Sequence, residues 1–214
     1  MTTEKKANAG STREIAAGES APRRFYRLWD DLKLPGKPWH VWQNEAELMR
    51  EWPGDHAKPF LGLVFSEPPK IAFDKKVPPA RLRDAYSILA TGVWLVSDRL
   101  RQVMTELDPG AFVFEPTEVD YGNLDEPGPG FWFCDTRRWL DCVDEERSEL
   151  TYYDNVPFKS YRKLIDVRMK LDVVGEAHAF RLQHAPGIQI VDDVAVAAFH
   201  AAGIKGYSYE SLQT

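Results

Sequence analysis

Asp135, Asp141, Asp144, Glu145 and Glu146 fall within twelve consecutive positions and put ten carboxylate oxygens on one short stretch of chain. Carboxylates at that density can hold Mg²⁺ or Ca²⁺, or can act as a paired general acid and base. A calcium loop needs regularly alternating oxygens around a central glycine, and this stretch has neither. The five histidines, His40, His56, His178, His184 and His200, show no HxxxH, HxH or HExxH spacing, so nothing points to zinc. Ser97 lies outside any GxSxG elbow, and no GxGxxG or P-loop motif occurs. Cys134 and Cys142 fit no zinc or CxxC pattern and read as two reduced thiols. The expectation is a protein that is not an enzyme and has no catalytic residue, metal or cofactor. The alternative that the carboxylates keep open is a small carboxylate- or metal-dependent hydrolase or transferase built on 135–146.

The same acids read differently as surface. From Glu115 to Asp154 there are twelve acids against three bases, a net −9 in a chain of −6, which leaves +3 for the remainder. A solvated charged face is the ordinary explanation, and a protein-partner surface is the informative one. The residues assigned to such a surface are Trp132, Trp139, Asp141, Asp144, Glu145, Glu146, Arg147 and Ser148, because aromatic side chains anchor interfaces and charges orient them. Core packing is the commoner use of the two tryptophans. A near-neutral body with one acidic stretch has no basic face for phosphates, which argues against nucleic acid.

The elements must supply the frame. At 214 residues, 43% hydrophobic with 7 Trp, 11 Phe and 8 Tyr, the chain has ample material for a core. No apolar run approaches the roughly 20 residues of a membrane span, and the start has no apolar signal region, so a cytoplasmic location is expected. Residues 1–22 lack periodicity and read as a disordered leader; 23–214 reads as one domain, with a subdivision near 23–90 and 91–214 left open. Phe25 to Trp29 alternates like an edge strand. In the proline-rich stretch after it, Trp39 and Trp42 read as loop-anchoring core aromatics before they read as a ligand platform. Phe60 to Phe65 and Ile71 to Asp74 read as strands. Pro78 and Pro79 open a predicted helix from about Ala80 to Ala90. Residues 120–130 are loop, 131–134 a buried strand, and 137–143 is either strand or short helix. Ile165 to Val174 alternates as a two-faced strand, with Ala179 to Leu182 as its partner across Gly175-Glu176. Strands and helices mix without regular alternation, so the class is α+β: a mixed or antiparallel sheet with a few helices.

Two strand–helix–strand units repeat at a constant offset of 95. Trp94 to Val96 is a short strand, Ser97 a natural N-cap, and Leu100, Val103, Met104 and Leu107 the buried stripe of a helix. Asp108-Pro109-Gly110 ends that helix, and Phe112 and Phe114 begin the returning strand. In the second unit Asp192 takes the Ser97 position, Ala195, Ala198, Phe199 and Ala202 make the stripe, and Tyr207 and Tyr209 replace the phenylalanines. The smaller stripe predicts closer packing of the second helix.

Three segments carry a family resemblance. Leu95-Val96-Ser97-Asp98-Arg99-Leu100, the run Trp139-Leu140-Asp141-Cys142-Val143-Asp144-Glu145-Glu146-Arg147-Ser148, and Phe180-Arg181-Leu182 followed by Ile190-Val191-Asp192-Asp193-Val194 resemble, in this order, the signatures of immunity-protein family eleven of bacterial polymorphic-toxin systems. The resemblance runs from about residue 25 to 210. It implies an intracellular protein encoded beside a toxin, which it binds and neutralises in the producing cell, with no cofactor and no catalytic residues. The chain departs from the pattern where Asp192 replaces the usual serine and alanines replace larger helix residues. A non-catalytic adaptor of a secretion system is a further alternative. Isologous dimers are common among soluble proteins, which leaves a homodimer open.

Overall fold

The computed structural model describes residues 22–31, 40–51, 65–73, 82–88, 93–122 and 128–213. The expected leader lies outside these residues apart from Pro22, as do Trp39 and the predicted strand at 60–65 apart from Phe65. In chain order the elements are β1 (Phe25–Asp30), β2 (His40–Trp42), α1 (Glu45–Glu51), β3 (Lys70–Phe73), β4 (Ala85–Ser87), β5 (Trp94–Ser97), α2 (Asp98–Leu107), β6 (Phe112–Pro116) and β7 (Glu118–Asp120). There follow β8 (Phe131–Thr136), β9 (Trp139–Leu140), β10 (Glu149–Tyr152), β11 (Tyr161–Asp166), α3 (Leu171–Val174), β12 (Ala179–Leu182), β13 (Ala185–Asp192), α4 (Asp193–Ala201) and β14 (Tyr207–Ser211). The α+β class is therefore correct.

The repeated units are the frame of the fold. One sheet runs β4-β5-β8-β6 and another β14-β1-β13-β12-β9. In the first, β5 and β6 are both antiparallel to β8 and hence parallel to each other, joined by α2 around the inserted strand, a split β–α–β unit. In the second, β13 and β14 are joined by α4 around the inserted β1. The correspondence holds residue by residue. Ser97 pairs with Phe131 as Asp192 pairs with Phe25. The Asp98 N–H donates to Gly130 as that of Asp193 does to Arg24, and Thr117 donates to Phe131 as Leu212 does to Phe25. β4 flanks β5 as β12 flanks β13. The inserted strand follows its unit in the first copy but comes from the start of the fold in the second. β1 is therefore an interior strand, not the edge strand that its alternation suggested.

The helices α2 and α4 pack on each other, and both bury their stripes in a core shared by the inner faces of the two sheets: Leu100, Met104, Ala195 and Phe199 are fully buried there beside Val96, Cys134 and Val191. Burial of each large side chain contributes roughly 1.5–3 kcal/mol. The outer face of the first sheet is covered by the three-stranded sheet β2-β3-β7 through a second core that includes Trp42, Ile71, Phe73, Leu95 and Phe133. Trp42 is thus a core residue, stacked edge-on against Phe133 at 4.9 Å. The outer face of the second sheet carries a third core, in which Phe25, Phe180 and Ile190 meet Val143, Val167 and Val174. Both sheets take strands from either side of residue 90, since β1 sits between β13 and β14 and β4 pairs with β5.

Two local readings are corrected. The helix expected at 80–90 is strand β4 at 85–87: Ala85 and Tyr86 are both fully buried, one in the helix-side core and one in the outer core, and pairing with β5 overrides the local period. The strand expected at 165–174 stops at Asp166. Among the described residues its second half has no strand beside it, and it closes as the turn α3 on the carbonyls of Lys170 and Leu171, with Gly175 at φ 54° ending it. β12 accordingly pairs with β13 and β9, and β11 with β10.

Candidate functional site

The acidic signature forms one tight turn. After β9, Cys142 and Val143 plunge into the third core while Asp141 and Asp144 flank them on the outside. The backbone is clamped from the far side: Lys170 N–H donates to Cys142, and Asp144 N–H donates to Arg168. A 3-10 turn over Glu145–Arg147 then leads into β10. Ser148 braces it, its hydroxyl donating to the Asp144 carbonyl at 2.6 Å and accepting from the Arg168 N–H at 2.8 Å. Burial pushes the Cys142 thiol up to about 12, and burial likewise raises Cys134, so neither is poised as a thiolate.

The carboxylates divide by role. Glu145 is a hub: it accepts from Tyr161 Oη at 2.6 Å and Tyr152 Oη at 2.9 Å and is paired with Lys159. Partial burial raises its carboxyl, but these hydrogen bonds and the Lys159 charge outweigh that and hold it down at about 2. Asp135 is buried on β8 against Arg181 of β12. Asp141 is exposed, with His184 Nε2 at 3.5 Å; Asp144 has the distant Arg147 guanidinium at 3.9 Å; Glu146, Arg147 and Glu149 face solvent. Among the described residues no three His, Cys, Asp or Glu side chains converge as a metal site.

The eight residues assigned to a partner surface are therefore not one patch. Seven lie together in the 139–148 run, whereas Trp132 is on β8 in the other sheet. There its indole N–H donates to Asp98 at 2.6 Å and Arg101 stacks over its ring at 4.0 Å. Trp139 is half-buried on β9 beside Arg181. Glu145 and Ser148 are engaged internally. Asp141, Asp144, Glu146 and Arg147 remain open to solvent contact. The wider acidic stretch is dispersed as well: Glu118 and Asp120 are on β7, Glu115 is on β6, and 123–127 lie outside the described residues.

The sequence reading missed the aromatic residues beyond the turn. The β10–β11 hairpin exposes Tyr152 (40%), Tyr153 (47%) and Phe158 (64%) around the Asp154–Pro157 loop. Their signal was present as aromatics flanking an Asp-Asn-Val-Pro turn.

Both helix caps are where the repeat placed them. Ser97 Oγ accepts from Leu100 N–H at 3.2 Å, and Asp192 Oδ1 accepts from Ala195 N–H at 2.9 Å. The remaining contacts are structural too: Ser97 donates to Asp84 at 2.8 Å, which also binds Arg99, and Asp192 is held by Arg23 and by His178 Nδ1 at 2.8 Å. No helix among the described residues is long and apolar enough to cross a membrane.

No curated protein gives a significant match to this sequence. The family model described as Immunity protein family (Imm11) matches residues 25–214, from the first strand of the fold to the end of the chain. All three signature segments lie inside that span: one on β5 and α2, one in the acidic turn, and one on β12, β13 and α4. The chain belongs to the Imm11 immunity protein family.

Proposed function

We propose that this protein protects the cell that makes it by binding and occluding a toxin encoded nearby, without chemistry of its own. Family membership over residues 25–214 is the observation that carries this reading. Two of the acids, Asp135 and Glu145, are committed to internal partners, Arg181 and Lys159, which leaves the exposed ones for contact with a partner. The open acids Asp141, Asp144, Glu146 and Glu149 form the contact face in this proposal. They would steer a basic toxin surface, of the kind that acts on nucleic acid or an anionic cofactor, into a complex that blocks it sterically. The compartment is the cytoplasm in this reading, where toxin and protector meet.

The test is co-expression with the toxic domain encoded by the adjacent reading frame. Wild-type protein is expected to restore growth, and the triple reversal Asp141→Lys, Asp144→Lys and Glu146→Lys is expected to weaken binding about 10–100-fold and flatten its salt dependence. Absence of protection by the wild type would sink the immunity reading. Protection with unchanged affinity in the reversed variant would remove only the acidic face from it.

A further inference from the structure

We infer that the outer face of the second sheet, where it carries Arg27, Trp29, Ser208 and Glu210, is a two-fold interface through which this chain pairs with a second copy of itself. Such pairing is independent of the toxin contact.

Strand register brings these four side chains together. β1 and β14 are antiparallel neighbours in which Arg27 is opposite Glu210 and Trp29 is opposite Ser208. Residues opposite each other share a face, as do residues two apart on one strand. Phe25, two before Arg27, belongs to the third core, whereas Leu28, Tyr207 and Tyr209 pack into the helix-side core, so all four side chains are on the outer face. The third core covers that face at Phe25, Phe180 and Ile190 but stops short of Trp29, which is 42% exposed and belongs to none of the three cores. The corresponding stretch of the first sheet is sealed. There Phe133 fills the slot that Arg27 occupies, and Trp42 of the covering sheet packs edge-on against it. Trp29 has no such cover among the described residues: the Arg27 guanidinium stacks on its ring at 3.5 Å, and its indole N–H donates to Glu210 at 2.5 Å.

The patch is complementary to itself. A two-fold axis running along the strands, between β1 and β14, lays β1 over the partner's β14 and β14 over the partner's β1. Each residue then faces, in the other copy, the residue it already pairs with in its own sheet. Arg27 meets the partner subunit's Glu210, and Trp29 meets the partner subunit's Ser208: a cation on an anion and a large side chain over a small one, each twice. Sheets packed face to face stand about 10 Å apart with strands within about 30°, close enough for these side chains to touch. β14 is the last strand of its sheet, so the partner's sheet stops before the third-core cover on β13 and β12. The charge selects the occupant. The two strands present one cation and one anion on this face, so a uniformly basic or acidic partner meets a clash beside every match, and a second copy meets none. Arg27 is available for that pairing, since among the described residues it stacks on Trp29 and hydrogen-bonds to no carboxylate. Four side chains per copy bury little area, so the dimer is a weak one, dissociating at roughly 10–100 μM.

Sedimentation of the full chain between about 5 and 500 μM tests the interface. Wild type is expected to pass from monomer to dimer across that range. Trp29→Ala is expected to stay monomeric while its circular dichroism and melt remain those of wild type. Arg27→Glu and Glu210→Arg should each weaken the dimer about 10-fold or more, and their equimolar mixture should dimerise as well as wild type, because each variant supplies the charge that the other lacks. The double variant Arg27→Glu/Glu210→Arg keeps the cross-strand pair inside each chain and should also dimerise like wild type, which preserves the charge test if a single variant fails to fold. A wild type that stays monomeric throughout overturns the interface, as does a dimer that Trp29→Ala and both charge variants leave intact. A monomeric wild type whose Trp29→Ala variant no longer protects against the adjacent-frame toxic domain assigns the patch to the toxin and overturns the interface as well.

Discussion

The two halves of the frame share a backbone but not a chemistry. At the start of α2 the cap is the Ser97 hydroxyl, and the carboxylate that supports it, Asp84, sits just before the neighbouring strand β4 with Arg99 as its counter-ion. At the start of α4 the carboxylate is the cap itself, Asp192, and the neighbouring position holds His178, with Arg23 as counter-ion. The acid has changed sides of one hydrogen bond while the backbone bonds around it are unchanged. What the duplication preserves is the orphan N–H groups that must be satisfied, not the residue that satisfies them. What it does not preserve is the outer layer. The first sheet is covered by strands packed through aromatic contacts such as Phe73–Phe131, and the second by a turn and hairpin pinned through charge at Glu145. The acidic signature and the exposed aromatics of the hairpin both belong to this unduplicated layer.

The two sheets lock through reciprocal ion pairs, β12 onto β8 by Arg181–Asp135 and the segment leading into β4 onto β1 by Arg83–Asp30 at 3.2 Å. Their side chains differ in seclusion, with Asp135 1% and Asp30 12% exposed. Arg181→Met deprives a sealed carboxylate of its guanidinium and is expected to cost about 3–5 kcal/mol, whereas Arg83→Met, beside an acid that water can reach, should cost under half of that. Denaturant titration of both variants decides it. Equal losses would mean that the reciprocity of the halves, and not burial, sets the energy.

The next largest effect separates Gly206 from its counterpart Ala111. Both carbonyls accept from the end of an inserted strand, Gly206 from Asp31 and Ala111 from Arg137. Gly206 has φ 115°, and a Cβ there would lie 2.2 Å from the Ala85 carbonyl oxygen, which is backbone and cannot swing away. Gly206→Ala should therefore lose about 3 kcal/mol, while Ala111→Gly should lose only about 1 kcal/mol. A thermal melt that ranks them the other way would show that the two returns are not held alike.

What was legible in the sequence follows the range of the interactions. Ser97 and Asp192 were readable as caps because a cap is decided within four residues, and the helix stripes because they repeat at a fixed period and offset. The place of β1 was not readable. Phe25-Tyr26-Arg27-Leu28-Trp29 and Phe131-Trp132-Phe133-Cys134-Asp135 fill the same slot in the two sheets but share little beyond a leading phenylalanine and an aromatic. β4 and α3 were misread for the same reason, since a partner strand supplied from elsewhere, or withheld, outweighs local period. The acids were counted correctly, but a count does not separate Glu145, whose oxygens are engaged by Lys159, Tyr152 and Tyr161, from Glu146 one residue on, which faces solvent.

The smallest effect sharpens the contrast between the outer layers. Glu145 is held at about 2 in the fold against an ordinary 4.5. A depressed carboxylate contributes stability that is fully present above 4.5 and is lost as the pH falls from there toward 2. Because that stability resides in the hairpin, acid should loosen β10 and β11 before β2, β3 and β7, where the depressed carboxyl of Glu67 beside Lys70 is exposed and screened and apolar packing holds the strands. Hydrogen exchange corrected for intrinsic rates is expected to show hairpin amides losing protection between pH 4.5 and 2.5 ahead of those in β3. In Glu145→Gln the side chain keeps an acceptor for the tyrosine hydroxyls but loses the charge that answers Lys159. Its hairpin should therefore be looser at neutral pH and show little further change across the window. Parallel loss of protection in both layers would mean that the charge at Glu145 is not what holds the hairpin, and that the second outer layer is, like the first, a matter of packing.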